Sequence, residues 1–322
     1  MPGIARIVSE SSERALGSDG PNTSLRRNRK TCHHRKFASD PYNICYNNLQ
    51  SGTASNGSSG ESCTPAIASQ RALLNHSVFS RVDHRPWAVP NARWTWRQSW
   101  CDLLFAHWPI AAEKLQPLVP PPLEVQQFDG TSWVGIVPFR MQGVMRRPLP
   151  SLPYFSAFPE LNLRLYVNHK GRPGVWFLSL DAANALAVWA ARRFFHLPYF
   201  HSRMRLSGLP EEVQYQSFRL ARPRGIEFEA AYRPIGAPYE SKAGSLEHWL
   251  TERYCLYAQS PRGPIYRAEV HHHPWPLQPA QATITKNDLL QPHGLHIEGP
   301  PPLLHFSRHL DVVIWSPRAV VG

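Results

Sequence analysis

Residues 158–204, FPELNLRLYVNHKGRPGVWFLSLDAANALAVWAARRFFHLPYFHSRM, limit what this chain can fold into more than any other stretch. Strict alternation opens it. Leu161, Leu163, Leu165 and Val167 fall on one face of a strand, and Glu160, Asn162, Arg164 and Tyr166 on the other. His169-Lys170-Gly171-Arg172-Pro173-Gly174 then makes a turn, and residues 175–180 run back as the second strand of an antiparallel hairpin. Asp181 is the expected N-cap of an alanine-rich helix reaching about His196. Pro198 stops that helix by disfavouring helical geometry at Leu197. A strand with one wholly polar face needs either water or an enclosed polar cavity on that side, and both alternatives stand at this point.

The rest of the chain supplies many short strand patterns. Residues 93–105 read as an entering strand, followed by a short helix starting at Pro109 and ending before Pro117. Pro120-Pro121-Pro122 forms a stiff connector, and residues 123–128 and 131–139 flank Asp129-Gly130, a strong hairpin signal. Further strands are expected at 203–207, 213–220, 226–233, 263–271 and 303–315, with a helix capped by Ser245 running to about Tyr257. Frequent turns and only two or three helices predict a mainly β, β-dominated α+β domain, built as an antiparallel barrel or sandwich.

Residues 1–85 differ in composition. They are rich in Ser, Asn, Gly and Arg without apolar periodicity, and cannot bury enough surface to offset their ordering entropy. They are expected to be a disordered tail, or the product of a start codon placed too far upstream, with residues 86–322 as the folded domain. The tail has no apolar core of a secretory signal, and Glu10, Glu13 and Asp19 break the acid-poor pattern of a transit peptide. Net charge is +12, with eleven Lys and Arg against six Asp and Glu in the tail and 24 against 17 beyond it. Those basic residues are scattered rather than gathered in a stripe, so no specific nucleic-acid partner is expected. Three of the five cysteines lie in the tail and none shows CxxC spacing, which argues against a disulfide framework and suits the cytoplasm. No apolar window is long enough to span a bilayer, and no pattern specifies an oligomeric state.

The blocks LLFAHWP, FDGTSWVGIVPFRMQGV, SAFPELNLRLYV, GRPGVWFLSLDAANALAV, GSLEHWLTERYCLY, EVHHHPWPLQ and PPLLHFSRHLDVVIW resemble the YqjF-like family of uncharacterised bacterial proteins, over residues 94–317. That family is similar in turn to the acetoacetate-decarboxylase-like superfamily. The resemblance implies a large, mostly antiparallel barrel with an interior site. It also implies that Glu160, at the position of a glutamate that lines that site in the decarboxylases, faces inward. The decarboxylases carry a Gly-x-Pro-Lys segment after the corresponding helix, whose lysine forms a Schiff base with a keto acid. Here Leu197-Pro198-Tyr199 takes its place. Beyond the tail, the only lysines are Lys114, Lys170, Lys242 and Lys286, all in surface-like contexts. Schiff-base decarboxylation is therefore not expected.

The candidate site consists of Glu160 as base or orienter and Tyr199 as a hydrogen-bond donor to a carbonyl or oxyanion. Arg140, Asn162, Arg164, Tyr166 and Arg308 are candidate binding residues, the arginines as anion anchors. Each has a bland alternative: packing for Tyr199, paired or solvated surface for the arginines. Glu269, His271 and His273 share a strand face at conceivable metal-ligand spacing, but a strand-end hydrogen-bonding cluster fits as well, and neither metal nor cofactor is expected. GxGxxG, GxxxxGK[ST], HExxH and GxSxG are all missing. The expected function is binding of, or non-decarboxylating chemistry on, a small carbonyl or carboxylate compound. The alternative is a non-catalytic scaffold or partner-binding protein.

Overall fold

The computed structural model describes residues 77–151 and 156–320. Strand β1 (Trp96–Ile110) runs five residues further than the pattern suggests, carrying Pro109 inside it, and the short helix α1 is confined to Ala112–Leu115. Strands β2 (Glu124–Val125) and β3 (Ser132–Arg146) follow. Asp129 (φ 45) and Gly130 (φ 77) both take left-handed backbone, as a tight Asp-Gly turn requires, and the turn closes through two Phe128–Thr131 backbone bonds. The chain before it then departs from a hairpin, since β2 pairs with the next strand, β4 (Phe158–His169), and not with β3.

β4 and β5 (Arg172–Ala182) form the expected antiparallel hairpin, but its turn is only Lys170-Gly171, because Arg172, Pro173 and Gly174 already pair with His169, Asn168 and Val167. A second expectation fails here: β5 continues through Asp181, and Asn184 caps helix α2 (Ala185–Phe195) by accepting the N–H groups of Leu186 and Ala187. The reason is long-range, because the Asp181 carboxylate is engaged by Arg219 and Ser202. There follow β6 (Tyr199–Ser207), β7 (Val213–Arg219), β8 (Glu227–Pro234) and α3 (Leu246–Thr251). Ser245 caps α3 as expected, but the helix is short and Cys255 lies on β9 (Cys255–Gln259), not on a helix. Then come β10 (Ile265–His271), β11 (Gln278–Asn287), β12 (Leu303–Ile314) and β13 (Arg318–Ala319).

The strand pairings close on themselves. β12, β1, β3, β4 and β5 form a shared wall. One circuit returns from β5 to β12 through β9 and β10, and the other through β6, β7, β8 and β11. The arrangement is mainly β and ring-like, antiparallel except where β5 meets β6 and β9 in parallel. Because β4 sits in the shared wall, both of its faces are buried. Leu161, Leu163, Leu165 and Val167 pack with Tyr215, Phe228 and Tyr232 of β7 and β8. The opposite face turns toward a second core containing Phe139, Leu180 and Val270.

Residues expected to end the tail are also packed. Val78 and Phe79 join Val313 and Trp315 in a third apolar cluster. The Arg85 guanidinium donates to the Val270 carbonyl and pairs with Glu269 at 3.1 Å. The tail expectation for residues 1–76 lies outside the described residues. Among those described, no helix is long and apolar enough to cross a membrane.

At Gly174, β5 lies close against β9. A Cβ there would meet Cys255 Sγ and a Tyr257 ring carbon at 2.7 Å and the Cys255 carbonyl oxygen at 2.9 Å. Gly174→Ala is expected to cost about 1–3 kcal/mol through overpacking, read as a lowered calorimetric Tm. An unchanged Tm would show that the two strands part freely.

Candidate functional site

The polar face of β4 opens into a cavity of about 410 Å³, within the range of small-molecule sites. Its walls are largely apolar, including Val137, Phe139, Leu180, Phe195, Leu256 and Val270. Leu149 and Leu186 line it while remaining 60% and 55% exposed, so they mark the mouth. Glu160, Asn162, Arg164 and Tyr199 line it too, all buried. The enclosed alternative for the polar face is therefore the one the fold adopts.

Glu160 is brought to the cavity by strand alternation, and Tyr199 by the turn after α2, where Pro198 ends the helix and β6 begins beside β5. The Tyr199 hydroxyl donates to Glu160 Oε2 at 2.9 Å. It thus serves the carboxyl group, where a direct bond to a ligand was the expectation. Burial in apolar surroundings raises the Glu160 pKa to about 8, while the Tyr199 bond favours the ionised form and pulls it partly back. Burial likewise pushes the Tyr199 phenol well above its ordinary value, which keeps its proton in place. A carboxyl that titrates near neutrality can both take up and release a proton.

The enclosed end is cationic. Arg164 donates from Nε to the Tyr166 hydroxyl at 3.1 Å and from Nη2 to the Leu250 carbonyl at 3.2 Å, and lies 5.0 Å from the Phe105 ring centroid. Tyr166 and His107 Nε2 share the next hydrogen bond at 2.6 Å, with burial holding the His107 pKa well below its ordinary value. Tyr166 is thus a buttress behind Arg164 and not part of the cavity lining. Arg253, between α3 and β9, also lines the cavity. Its Nη1 donates to Gln126 Oε1 at 2.5 Å, and its guanidinium lies over the Trp249 and Tyr166 rings at 4.4 and 4.9 Å. Burial lowers its pKa to about 10, so it remains charged at neutral pH.

Two expected anchors lie elsewhere. Arg140 and Arg308 converge on Asp102, at 2.8 and 2.7 Å, where β1 breaks register with β3 and Asp102 takes φ 53. Neither lines the cavity. Glu269, His271 and His273 are likewise separated by their partners: Glu269 accepts from Arg85 and Trp87, His271 Nε2 bonds the Val78 carbonyl, and His273 Nε2 lies 3.2 Å from Ser80 Oγ. Among the described residues, no three His, Cys, Asp or Glu side chains gather as metal ligands would. It is His272, on the opposite face, that reaches the cavity, with its pKa lowered to about 3 by burial. The four lysines among the described residues are exposed and none lines the cavity.

The model of the DUF2071 family, described as an uncharacterized conserved protein, matches residues 97–311. The chain is 44% identical over 241 residues to the uncharacterized protein YqjF of Bacillus subtilis (strain 168), covering 75% of this chain and 99% of that protein. Acetoacetate decarboxylase from Legionella pneumophila shares the fold with a TM-score of 0.50 at 14% identity, over 82% of this chain and 98% of that structure. The enduracididine biosynthesis enzyme MppR, complexed with the condensation product of pyruvate and imidazole 4-carboxaldehyde, does so with a TM-score of 0.51 at 12% identity, over 74% of this chain and 92% of that one. At such identities the likeness concerns the fold alone. The fold is acetoacetate-decarboxylase-like, and by its extent and identity of match the chain belongs to the DUF2071 family.

Proposed function

We propose that the cavity binds a small carbonyl or carboxylate compound, and that Glu160 exchanges a proton with it without a Schiff base. The observation that carries this reading is the Glu160 carboxyl. It lies buried in an apolar cavity, its pKa is raised into the neutral range, and Tyr199 holds it in one orientation. Ionised Glu160 takes a proton from the carbon next to a carbonyl and returns one as the neutral acid. Tyr199 acts as a positioning residue that also sets the pH at which Glu160 becomes a base. The MppR complex, which holds a pyruvate condensation product in this fold, supports a carbonyl compound as ligand. The exposed lysines support chemistry that does not pass through an imine.

The test is deuterium wash-in from heavy water into the α-positions of simple ketones and keto acids, followed by mass spectrometry. Wash-in should accelerate as pH rises through about 8. It should fall by about 10²–10⁴-fold in Glu160→Gln, the usual worth of a general base. Tyr199→Phe removes the bond that favours ionised Glu160, so its profile should shift to higher pH. Wash-in at the background rate with every compound, or an unshifted profile in a folded Tyr199→Phe variant, would overturn the proposal.

One observation favours the second reading, a partner-binding protein. Leu186, Trp189 and Phe194 on α2 are 55%, 58% and 46% exposed beside the cavity mouth. Under that reading Glu160→Gln leaves function unchanged while Trp189→Ala abolishes it.

A further inference from the structure

The enclosed end of the cavity holds two buried guanidinium groups with no carboxylate partner among the described residues. Arg164 and Arg253 are 8% and 7% exposed. Their protein partners are all neutral: the Tyr166 hydroxyl, the Leu250 carbonyl and the Gln126 side-chain oxygen. Two of the three nitrogens of Arg253, Nε and Nη2, are buried with no protein acceptor. Buried charges in folded proteins are ordinarily paired, because leaving one unpaired costs several kcal/mol. The other two buried arginines among the described residues follow that rule. Arg219 is paired with Asp181, and Arg85 with Glu269. Arg164 and Arg253 stand out against them.

The other orphaned groups along the same cavity point the same way. Trp100 Nε1 and Trp275 Nε1 are buried donors without an acceptor, against a single unpartnered acceptor, Asn162 Oδ1. The lining therefore offers more donors than acceptors, and complements a ligand that brings oxygen acceptors and negative charge. A guanidinium with two adjacent free nitrogens matches the two oxygens of a carboxylate. The remainder of the lining, from Phe139 and Leu180 out to Leu186 and Leu149 at the mouth, is largely apolar, interrupted by Gln98, Arg146, Ser156, Asn184, Thr251 and His272.

Resting on the cavity reading above, we propose that the site selects an amphiphilic carboxylate. Arg253 and Arg164 hold its carboxylate at the enclosed end, and an apolar body passes Glu160 toward the mouth. The carboxylate is then a recognition handle, separate from the carbon that meets Glu160, which lies four residues from Arg164 along β4, on the order of 13 Å at the backbone.

Octanoate and octan-1-ol share a chain and differ in charge, so titration calorimetry of the full chain with each tests the proposal. Octanoate is expected to bind, and octan-1-ol to bind about 10- to 100-fold more weakly, the usual worth of hydrogen bonds to a charged group. Arg253→Met should remove that preference while leaving octan-1-ol binding intact, which also shows that the variant is folded. Arg253→Lys should restore part of it. Equal binding of the two probes, octanoate binding that survives both Arg253→Met and Arg164→Met, or binding of neither probe would each overturn the proposal. None of these outcomes touches the proton-exchange reading, which the ketone wash-in judges separately.

Discussion

Replacing Arg219 with methionine is expected to destabilise the fold by about 3–5 kcal/mol, the typical cost of stripping one partner from a buried ion pair. Both side chains are 1% exposed. Arg219 Nε and Nη2 reach the two Asp181 oxygens at 2.7 and 2.5 Å, and Ser202 Oγ adds a third donor at 2.6 Å. The guanidinium also stacks 4.1 Å from the Phe200 ring centroid. Removing it leaves a carboxylate in the wall with one hydroxyl for company. For a domain of this size that corresponds to a fall in Tm of roughly 6–20 °C. Adding Asp181→Asn should recover much of the loss, since the double change removes the stranded charge along with its partner. Calorimetry of the two variants decides the matter: a fall of less than 1 kcal/mol for Arg219→Met would mean that water reaches the pair. The consequence extends to the site. Asp181 lies beside Leu180, which pairs in register with Tyr199, so the ion pair clamps the β5–β6 junction that aims the phenol at Glu160.

That same pair shows where sequence reasoning stops. Alternation in β4 was legible, because a period of two needs only the residues themselves. So was the hairpin, since Lys170 and Gly171 mark its turn. Burial of both β4 faces was not legible from pattern, because a wall shared by two closed circuits is a property of distant strands. Asp181 followed by an alanine run has the local chemistry of a helix cap, yet a partner 38 residues away claims it and Asn184 caps instead. Arg253 escaped notice because it sits in what reads as the last turn of a helix, where the chain in fact turns from α3 into β9. Strand β11 was missed as well. Its inward positions are Ala280, Ala282 and Ile284, too small an apolar signal among polar neighbours to stand out. Arg140 and Arg308 looked like anchors because nothing local reveals that Asp102 lies between them.

The Glu160 contribution to stability should fall as pH rises from about 4.5 to about 8, so the native protein should lose ground against Glu160→Gln across that range while the buried histidines, common to both, cancel in the difference. The folded-state pKa of Glu160 is about 8 against an ordinary value of 4.5. Below 4.5 both folded and unfolded chains carry the proton, and the group has no effect on the balance. Between the two values the unfolded chain releases its proton while the folded one retains it, so each rise in pH favours unfolding. Above 8 both are ionised and the penalty is complete, on the order of 5 kcal/mol at the linkage constant for such a shift. Glutamine keeps the shape and the Tyr199 contact but carries no proton to lose. The variant should therefore match the native protein near pH 4.5 and exceed it increasingly toward pH 9. His309, whose pKa is raised to about 10 by its bonds to Asp311 and Cys101, also titrates as pH rises. It belongs to a separate cluster and is common to both proteins, so it cancels in their difference. Urea midpoints measured across this range give the answer directly: parallel curves would mean that Glu160 is hydrated and ordinary. Diverging curves would show that the fold tolerates a carboxyl where an amide would serve stability better. A protein near the threshold of stability does not carry such a cost for packing reasons. The proton itself is then what the site retains Glu160 for.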